Sequence, residues 1–146
     1  MRFEREVELP QNVKQTYAVN VRATLLLIAE FVERCKKDDR RYGRIINIST
    51  GTAQRFGGQI TYGSSKAAIE AFTRSIVGDV GPVGITVNTI SPGTTQTGYI
   101  DDETEEKLIP TIPLRRLGQP EDIANATLKK YAKAVDCNLE IKLIHK

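Results

Sequence analysis

The sequence predicts an α/β protein built on a doubly wound parallel sheet. Three observations support this prediction. The predicted elements follow the order helix, strand, helix, strand, helix, and helices are the usual crossover connections between parallel strands. The strand segments are short, β-branched runs, as in sheets that helices cover. Finally, 40% hydrophobic and 27% charged residues in a chain of 146 residues fit one compact domain.

The first elements are a long helix over residues 11–37 and a strand over residues 44–49. Apolar residues recur in the helix at steps of three and four, namely Val13, Tyr17, Val21, Leu25, Ile28 and Val32. The strand is nearly unbroken in its apolar character and lies between Gly43 and Gly51. This composition predicts burial of the strand on both faces.

A loop containing Gly57 and Gly58 leads to a second long helix, over residues 62–80. Its predicted packing face consists of small and apolar side chains: Ala67, Ala68, Ala71, Phe72, Ser75 and Ile76. A second strand follows over residues 85–90, and Pro92 and Gly93 end it. Gly78 is expected to weaken the last part of the helix.

The remaining chain is richer in loops. A short helix with an acidic start is predicted over residues 102–108, and Pro120 is placed to open another helix at its first position. Residues 139–144 alternate apolar and polar side chains, which is typical of a short strand.

Composition excludes several function classes. The net charge of +3 gives no reason to expect nucleic acid as a partner. No apolar run approaches the ~20 residues of a membrane span, and the charged start does not resemble a secretory signal. The two cysteines, Cys35 and Cys137, lack metal-ligand spacing, so we expect buried or reduced thiols and a cytoplasmic location.

The scarcity of histidine removes further mechanisms. The sole histidine is His145, one residue from the end of the sequence. A Ser–His–Asp or Cys–His nucleophile system and a two-histidine metal site are therefore not expected. Acid–base chemistry must use Tyr, Lys, Asp, Glu or Cys.

Tyr62 and Lys66 form the most informative pair. They are four residues apart in a predicted helix, so both side chains project from one face. A phenol has a reference pKa of ~10, and a pKa near 7 requires roughly 4 kcal/mol of preferential phenolate stabilisation. An ammonium about 4 Å away supplies about that much at an effective dielectric constant of ~20. The pair is therefore sufficient to move a hydroxyl proton.

Three further positions are candidates for the same site. Ser49 lies thirteen residues before Tyr62, at the carboxyl end of the first strand, where ligands bind in open α/β sheets. Pro92 and Gly93 occupy the matching end of the second strand. Asn20 lies in the middle of the first helix, where asparagine is a mediocre helix former. Taken singly, each has a structural alternative: a strand end, a turn, or a polar helix residue.

Four motifs together resemble the short-chain dehydrogenase/reductase family, and within it the 3-oxoacyl-carrier-protein reductases. The motifs are Asn-Ile-Ser-Thr-Gly (47–51), Tyr-Gly-Ser-Ser-Lys (62–66), Gly-Ile-Thr-Val-Asn-Thr-Ile-Ser-Pro-Gly (84–93) and Pro-Leu-Arg-Arg-Leu-Gly-Gln-Pro-Glu-Asp-Ile-Ala (113–124). They occur in the order and spacing of the family, and the resemblance extends over residues 10–128.

The resemblance implies a catalytic role for four residues. Tyr62 would be the acid/base, Lys66 would lower its pKa and hold the nicotinamide ribose hydroxyls, and Ser49 would orient the substrate oxygen. Asn20 would hold a water that links Lys66 to solvent. The implied cofactor is NAD or NADP, and the implied cofactor-binding residues are Tyr62, Lys66, Pro92, Gly93, Thr95 and Thr97.

The chain also departs from the family. All eleven glycines lie at or after Gly43, and none forms the Thr-Gly-x-x-x-Gly-Ile-Gly turn that approaches the pyrophosphate. The resemblance is therefore to the C-terminal catalytic half, a partial Rossmann-like sheet that lacks the N-terminal nucleotide-binding half. Residues 1–128 would form this incomplete domain, and residues 129–146 a divergent tail.

Two functions remain open. The first is an NAD(P)-dependent oxidoreductase that interconverts a small-molecule alcohol and a carbonyl. The alternative is a truncated, inactive remnant that at most self-associates or pairs with a full-length relative. In either case the two long helices offer a surface for a homo-oligomer, and neither nucleic acid nor a membrane is expected as a partner.

Overall fold

The computed structural model describes residues 10–54 and 59–128. They fall into two compact units, one ending at Thr94 and the other beginning at Thr95. The first unit contains a parallel sheet of β1 (Gly43–Ile48) and β2 (Ile85–Ile90). Its register runs from Gly43 opposite Ile85 to Ile48 opposite Ile90. The predicted parallel α/β arrangement is confirmed, and both carboxyl ends lie at one edge.

The predicted helix over residues 11–37 is helical throughout but has three parts. An α-helix, α1 (Pro10–Tyr17), continues into a π-helical segment (Ala18–Ala23) and then into α2 (Thr24–Lys37). A π-helical turn holds one residue more than an α-helical turn and is frequent at functional sites. This π-helical segment contains Asn20, and asparagine is a weak former of α-helix.

The second long helix, α3 (Ile60–Val80), begins slightly earlier than predicted. Its predicted packing face is confirmed in part, because Phe72 and Ile76 pack against the core whereas Ala71 and Ser75 are exposed. The buried positions are Gly63, Ser65, Ile69, Thr73 and Val80. Small side chains are spread around this helix, so apolar spacing alone identified only part of the face that packs.

The core of the first unit lies between the sheet and these helices. Its buried apolar side chains come from α2, α3 and β2: Ile28, Val32, Cys35, Val80, Ile85 and Val87. The thiol of Cys35 is free and buried, as predicted. Ile48 is 45% exposed, so the prediction that β1 is buried on both faces is wrong. The reason is that α2 and α3 both pack into this one core.

A tight turn of 3-10 helix (Gly81–Val83) joins α3 to β2 and requires glycine at its end. Gly84 has φ 77°, in the left-handed region. A β-carbon there would lie 2.0 Å from the carbonyl oxygen of Arg41. Glycine is the residue that accepts both conditions.

The second unit contains α4 (Asp102–Leu108), a 3-10 turn (Ile109–Thr111) and α5 (Pro120–Thr127). Asp101 caps α4 by accepting a hydrogen bond from the Thr104 amide at 2.8 Å. Pro120 opens α5, so both predicted helix starts are confirmed. The predicted loop glycines Gly57 and Gly58, the tail over residues 129–146 and its strand lie outside the described residues.

Among the helices of the described ranges, none combines the length and the apolar character that a membrane crossing requires.

Candidate active site

The first turns of α3 bring Tyr62 and Lys66 together. The Lys66 ammonium lies 5.7 Å from the centroid of the Tyr62 ring, within the range of a cation–π contact. The Tyr62 side chain is 41% exposed, so a ligand can reach it. This proximity follows from the helical spacing of four residues, which stacks the two side chains on one face.

Lys66 also connects α3 to the sheet. Its Nζ donates a hydrogen bond to the carbonyl oxygen of Ile48, the last residue of β1, at 2.9 Å. Partial burial lowers the pKa of the Lys66 ammonium, because a desolvated ammonium is less stable in its charged form. The lysine therefore joins the Tyr62 ring to the carboxyl end of β1.

Ser49 lies directly after β1 and is 3% exposed. Its Oγ donates to Oε1 of Glu70 at 2.8 Å and lies 3.3 Å from the carbonyl oxygen of Lys66. The same Glu70 oxygen accepts a hydrogen bond from Oγ of Ser91, also at 2.8 Å. The structure therefore places Ser49 against α3, in a cluster with two residues that the sequence analysis missed.

A signal for Glu70 was present in the sequence. Tyr62, Lys66 and Glu70 follow one another at intervals of four residues, so they share one face of α3. Ser91 precedes Pro92, one of the predicted site residues. Its contact with Glu70 spans 21 positions of sequence, and local patterns do not report such contacts.

Asn20 contacts α3 through a serine. Its Nδ2 donates to Oγ of Ser65 at 2.9 Å, and this hydroxyl donates in turn to the carbonyl oxygen of Tyr62 at 2.7 Å. Ser65 is fully buried. The π-helical segment that carries Asn20 thus supports the helical turn from which Tyr62 projects.

A second contact between these helices involves Tyr17 and Ser64, both missed by the sequence analysis. The Tyr17 hydroxyl donates to Oγ of Ser64 at 2.8 Å, and Ser64 Oγ donates to the carbonyl oxygen of Thr61 at 3.1 Å. Consecutive serines on α3 therefore receive hydrogen bonds from α1 and from the π-helical segment.

Pro92 and Gly93 lie at the same sheet edge as Ser49. The Ser49 amide donates to the Ile90 carbonyl and the Gly51 amide to the Pro92 carbonyl, each at 2.7 Å. The pairing of the two strands thus continues past their ends. A β-carbon on Gly51 would come within 3.3 Å of the Pro92 carbonyl oxygen, so this close approach favours glycine.

Thr95 and Thr97 belong to the second compact unit. Thr95 forms an isolated parallel bridge with Gly118, which the Gln96 amide extends by donating to the Gly118 carbonyl at 2.9 Å. Thr97 is exposed. Their place in the cofactor site stays a prediction from the sequence.

Comparison with known proteins gives consistent matches. The profile of a family described as Enoyl-(Acyl carrier protein) reductase matches residues 6–129. The Uncharacterized oxidoreductase YjdA of Bacillus subtilis (strain 168) is 42% identical over 117 residues, which cover 78% of this chain and 46% of YjdA.

Two solved structures share the fold. A short chain dehydrogenase/reductase family protein is 38% identical, with a TM-score of 0.70 over 82% of this chain and 49% of its own. A 3-oxoacyl-[acyl-carrier protein] reductase from Brucella melitensis, solved with bound NAD, is 27% identical. Its TM-score is 0.73 over 82% of this chain and 44% of its own.

The chain thus spans about half the length of the relatives that it matches. The family match nevertheless covers most of this sequence, including every residue of the Tyr62–Lys66 and Ser49–Glu70–Ser91 contacts. The chain belongs to the short-chain dehydrogenase/reductase family and is similar to its 3-oxoacyl-[acyl-carrier-protein] reductases.

Proposed function

We propose that this chain carries the catalytic half of an NAD(P)-dependent oxidoreductase that interconverts an alcohol and a carbonyl. The observation that carries the proposal is the position of the Lys66 ammonium, which contacts both the Tyr62 ring and the carbonyl of Ile48. This combination joins a proton donor, a cation and the carboxyl end of a parallel strand, where open α/β sheets bind ligands.

Tyr62 would exchange a proton with the substrate oxygen. When its phenol donates a proton to a substrate carbonyl, the ring acquires the charge of a phenolate. The neighbouring Lys66 ammonium would stabilise that charge by Coulombic attraction. In the reverse direction, the phenolate would accept the proton of an alcohol.

Ser49 and Asn20 would support this transfer. Ser49 would orient the substrate oxygen by turning its hydroxyl proton from Glu70, which accepts it in the structure, to that oxygen. Asn20 would hold a water that links Lys66 to solvent. Because its Nδ2 donates to Ser65, the amide oxygen is the side-chain atom left for that role.

The residues at this sheet edge fit a nicotinamide nucleotide. Lys66 has three ammonium hydrogens and gives one to Ile48 among the described residues, so others are left for ribose hydroxyls. A β-carbon on Gly93 would meet no atom of the described residues within 4 Å, so these residues leave room for a ligand beside the Pro92–Gly93 backbone. By resemblance, Thr95 and Thr97 would contribute further contacts. When bound, the nicotinamide would supply or accept the hydride.

A fluorescence titration with NADH and NADPH tests this proposal, followed by turnover with a 3-oxoacyl thioester as the carbonyl probe. We expect cofactor dissociation constants on the order of micromolar, and Tyr62→Phe should retain binding but lose about 10²–10⁴-fold in turnover. Tyr42→Phe is the matched control, since Tyr42 precedes β1 at the opposite edge of the sheet. Absence of binding at millimolar cofactor would instead support the non-catalytic alternative.

We also propose self-association through the two long helices, as the family resemblance implies. Large apolar side chains on α2 are exposed, with Leu26 at 54% and Leu27 at 71%. Burying such side chains against a second copy removes apolar surface from water. Light scattering on a sizing column should show a dimer or larger for the wild type and a smaller species for Leu27→Lys. A monomeric wild type would contradict self-association.

The free and buried Cys35 agrees with a cytoplasmic location, where thiols stay reduced.

A further inference from the structure

Glu70 connects three elements of the first unit. Its Oε1 accepts hydrogen bonds from Oγ of Ser49, which follows β1, and from Oγ of Ser91, which follows β2. Glu70 itself lies on α3, one helical turn beyond Lys66. A single carboxylate oxygen on the helix thus holds the carboxyl ends of both strands.

In this contact the serines are the donors and the carboxylate is the acceptor. A serine hydroxyl has one proton, and an ionised carboxylate only accepts hydrogen bonds. Ser49 and Ser91 each lie 2.8 Å from Oε1 of Glu70, whereas the other acceptor of Ser49, the Lys66 carbonyl oxygen, is farther away at 3.3 Å. Each serine therefore directs its proton mainly toward Glu70. While its proton is donated to Glu70, the Ser49 hydroxyl can accept a hydrogen bond from another group but cannot donate one.

The backbone beyond the strands depends on the same cluster. The Ser49 amide pairs with Ile90 and the Gly51 amide with Pro92, and Glu70 holds side chains on both sides of this ladder. Lys66 holds the same strand end through Ile48. Consecutive turns of α3 therefore contact the end of β1 and the residues that directly follow β1 and β2.

We propose that Glu70 is a positioning residue that locks Ser49 and the Pro92–Gly93 segment into one arrangement and sets the direction of the Ser49 proton. Its catalytic consequence rests on the function proposed above. The mechanical part of the proposal is that Glu70 holds Ser49 and the Pro92–Gly93 segment in place. This part does not depend on the proposed function, because it concerns the protein alone.

Amide hydrogen exchange tests the mechanical part in the full chain. Glu70→Met keeps the length of the side chain but accepts no hydrogen bond from the serines, whereas Glu70→Gln keeps an acceptor oxygen. We expect the Ser49 and Gly51 amides to exchange about tenfold faster or more in Glu70→Met, and within about twofold of wild type in Glu70→Gln. The Gly43 amide, which donates to Gly84 at the opposite end of the sheet, should not change.

Two controls separate this role from general destabilisation. Glu33→Met removes an exposed glutamate that pairs with Lys36 on α2, and it should change none of the three amides. Ser91→Ala leaves the Ser49–Glu70 contact in place, so exchange should rise at Gly51 more than at Ser49. Ser91→Ala also keeps the test decisive if Glu70→Met fails to fold.

NADH titration tests the catalytic part. We expect Glu70→Met to weaken NADH binding severalfold and Glu70→Gln to preserve it. If wild type binds no NADH, the proposed function fails while the exchange data still decide the role of Glu70. The Glu70 proposal is overturned if Glu70→Met leaves Ser49 and Gly51 exchange unchanged, if Gly43 accelerates equally, or if Glu70→Gln behaves like Glu70→Met.

Discussion

The Lys66 ammonium donates to the carbonyl oxygen of Ile48 at 2.9 Å, so the side chain that contacts Tyr62 also holds the end of β1. The hydrogen bond by itself stabilises the charged ammonium. Partial burial acts in the opposite direction and lowers the pKa of Lys66, which leads to a direct chemical prediction.

Lys66 should react faster with acetic anhydride than exposed lysines. A lowered pKa increases the fraction of neutral amine at a given pH, and the neutral amine is the nucleophile. At pH 8 we expect Lys66 to be acetylated more rapidly than Lys14 and Lys37, as measured by quantitative mass spectrometry. Unfolding in urea should abolish the difference. Equal rates in the folded protein would count against the desolvated ammonium.

The contact between Asn20 and Ser65 should appear as an energetic coupling. We expect Asn20→Ala and Ser65→Ala each to cost about 1 kcal/mol of unfolding free energy. The double variant should cost less than the sum, with a coupling of about 0.5–1 kcal/mol by urea denaturation. Arg34→Ala, which removes an exposed ion pair with Glu30, is the control. Its effect on the unfolding free energy should add to that of Asn20→Ala. Full additivity of Asn20 and Ser65 would contradict their hydrogen bond.

Thr73 should be more important to stability than its size suggests. Its buried hydroxyl donates to the Ile69 carbonyl and accepts from Asn47 at 2.8 Å and Thr89 at 3.0 Å. Thr73→Val removes this acceptor from buried donors and should cost about 1–3 kcal/mol in urea unfolding. Thr73→Ser keeps the hydroxyl and should cost clearly less. If valine were tolerated as well as serine, the network would not stabilise the fold.

Gly84, at the end of the turn before β2, should tolerate no side chain. Gly84→Ala brings a β-carbon to within 2.0 Å of the Arg41 carbonyl oxygen at a positive φ, so we expect a loss of about 2–3 kcal/mol. Gly78→Ala is the matched change, because a β-carbon there meets no atom within 4 Å. It should stabilise the helix by roughly 0.5–1 kcal/mol. Thermal unfolding of both variants measures the contrast, and similar effects would contradict it.

In the second unit, the stabilisation that the Arg116–Asp122 ion pair contributes should be lost in acid. Hydrogen bonds from Arg116 and from the Gln119 amide lower the pKa of Asp122 from 3.8 to about 2. The pair therefore stabilises the folded state above pH 3.8, and this stabilisation is lost as the pH falls through about 2.

Asp122→Asn tests this dependence. The variant should unfold more easily than wild type at neutral pH, and the two melting temperatures should converge below about pH 2. Circular dichroism melts across this range measure the gap. A gap that stays constant down to the lowest pH would show that the carboxylate is not the cause.

Many elements were predictable because their signals are local. The bounds of β2 and α4 agree with the predicted segments, and Pro120 opens α5 as expected. The Tyr62–Lys66 contact follows from helical spacing alone. Helix period, strand composition and capping chemistry are properties of neighbouring residues, so a sequence without structure contains them.

The arrangement around those elements came from packing between distant segments. The π-helical turn at Asn20 and the exposure of Ile48, Ala71 and Ser75 were not predicted. Glu70, Ser91 and Ser65 entered the site through hydrogen bonds across 21 to 45 positions of sequence. Such bonds form only after helices and strands have packed, because packing decides which polar groups come within hydrogen-bonding distance. The free energy of each contact then depends on the burial of those groups.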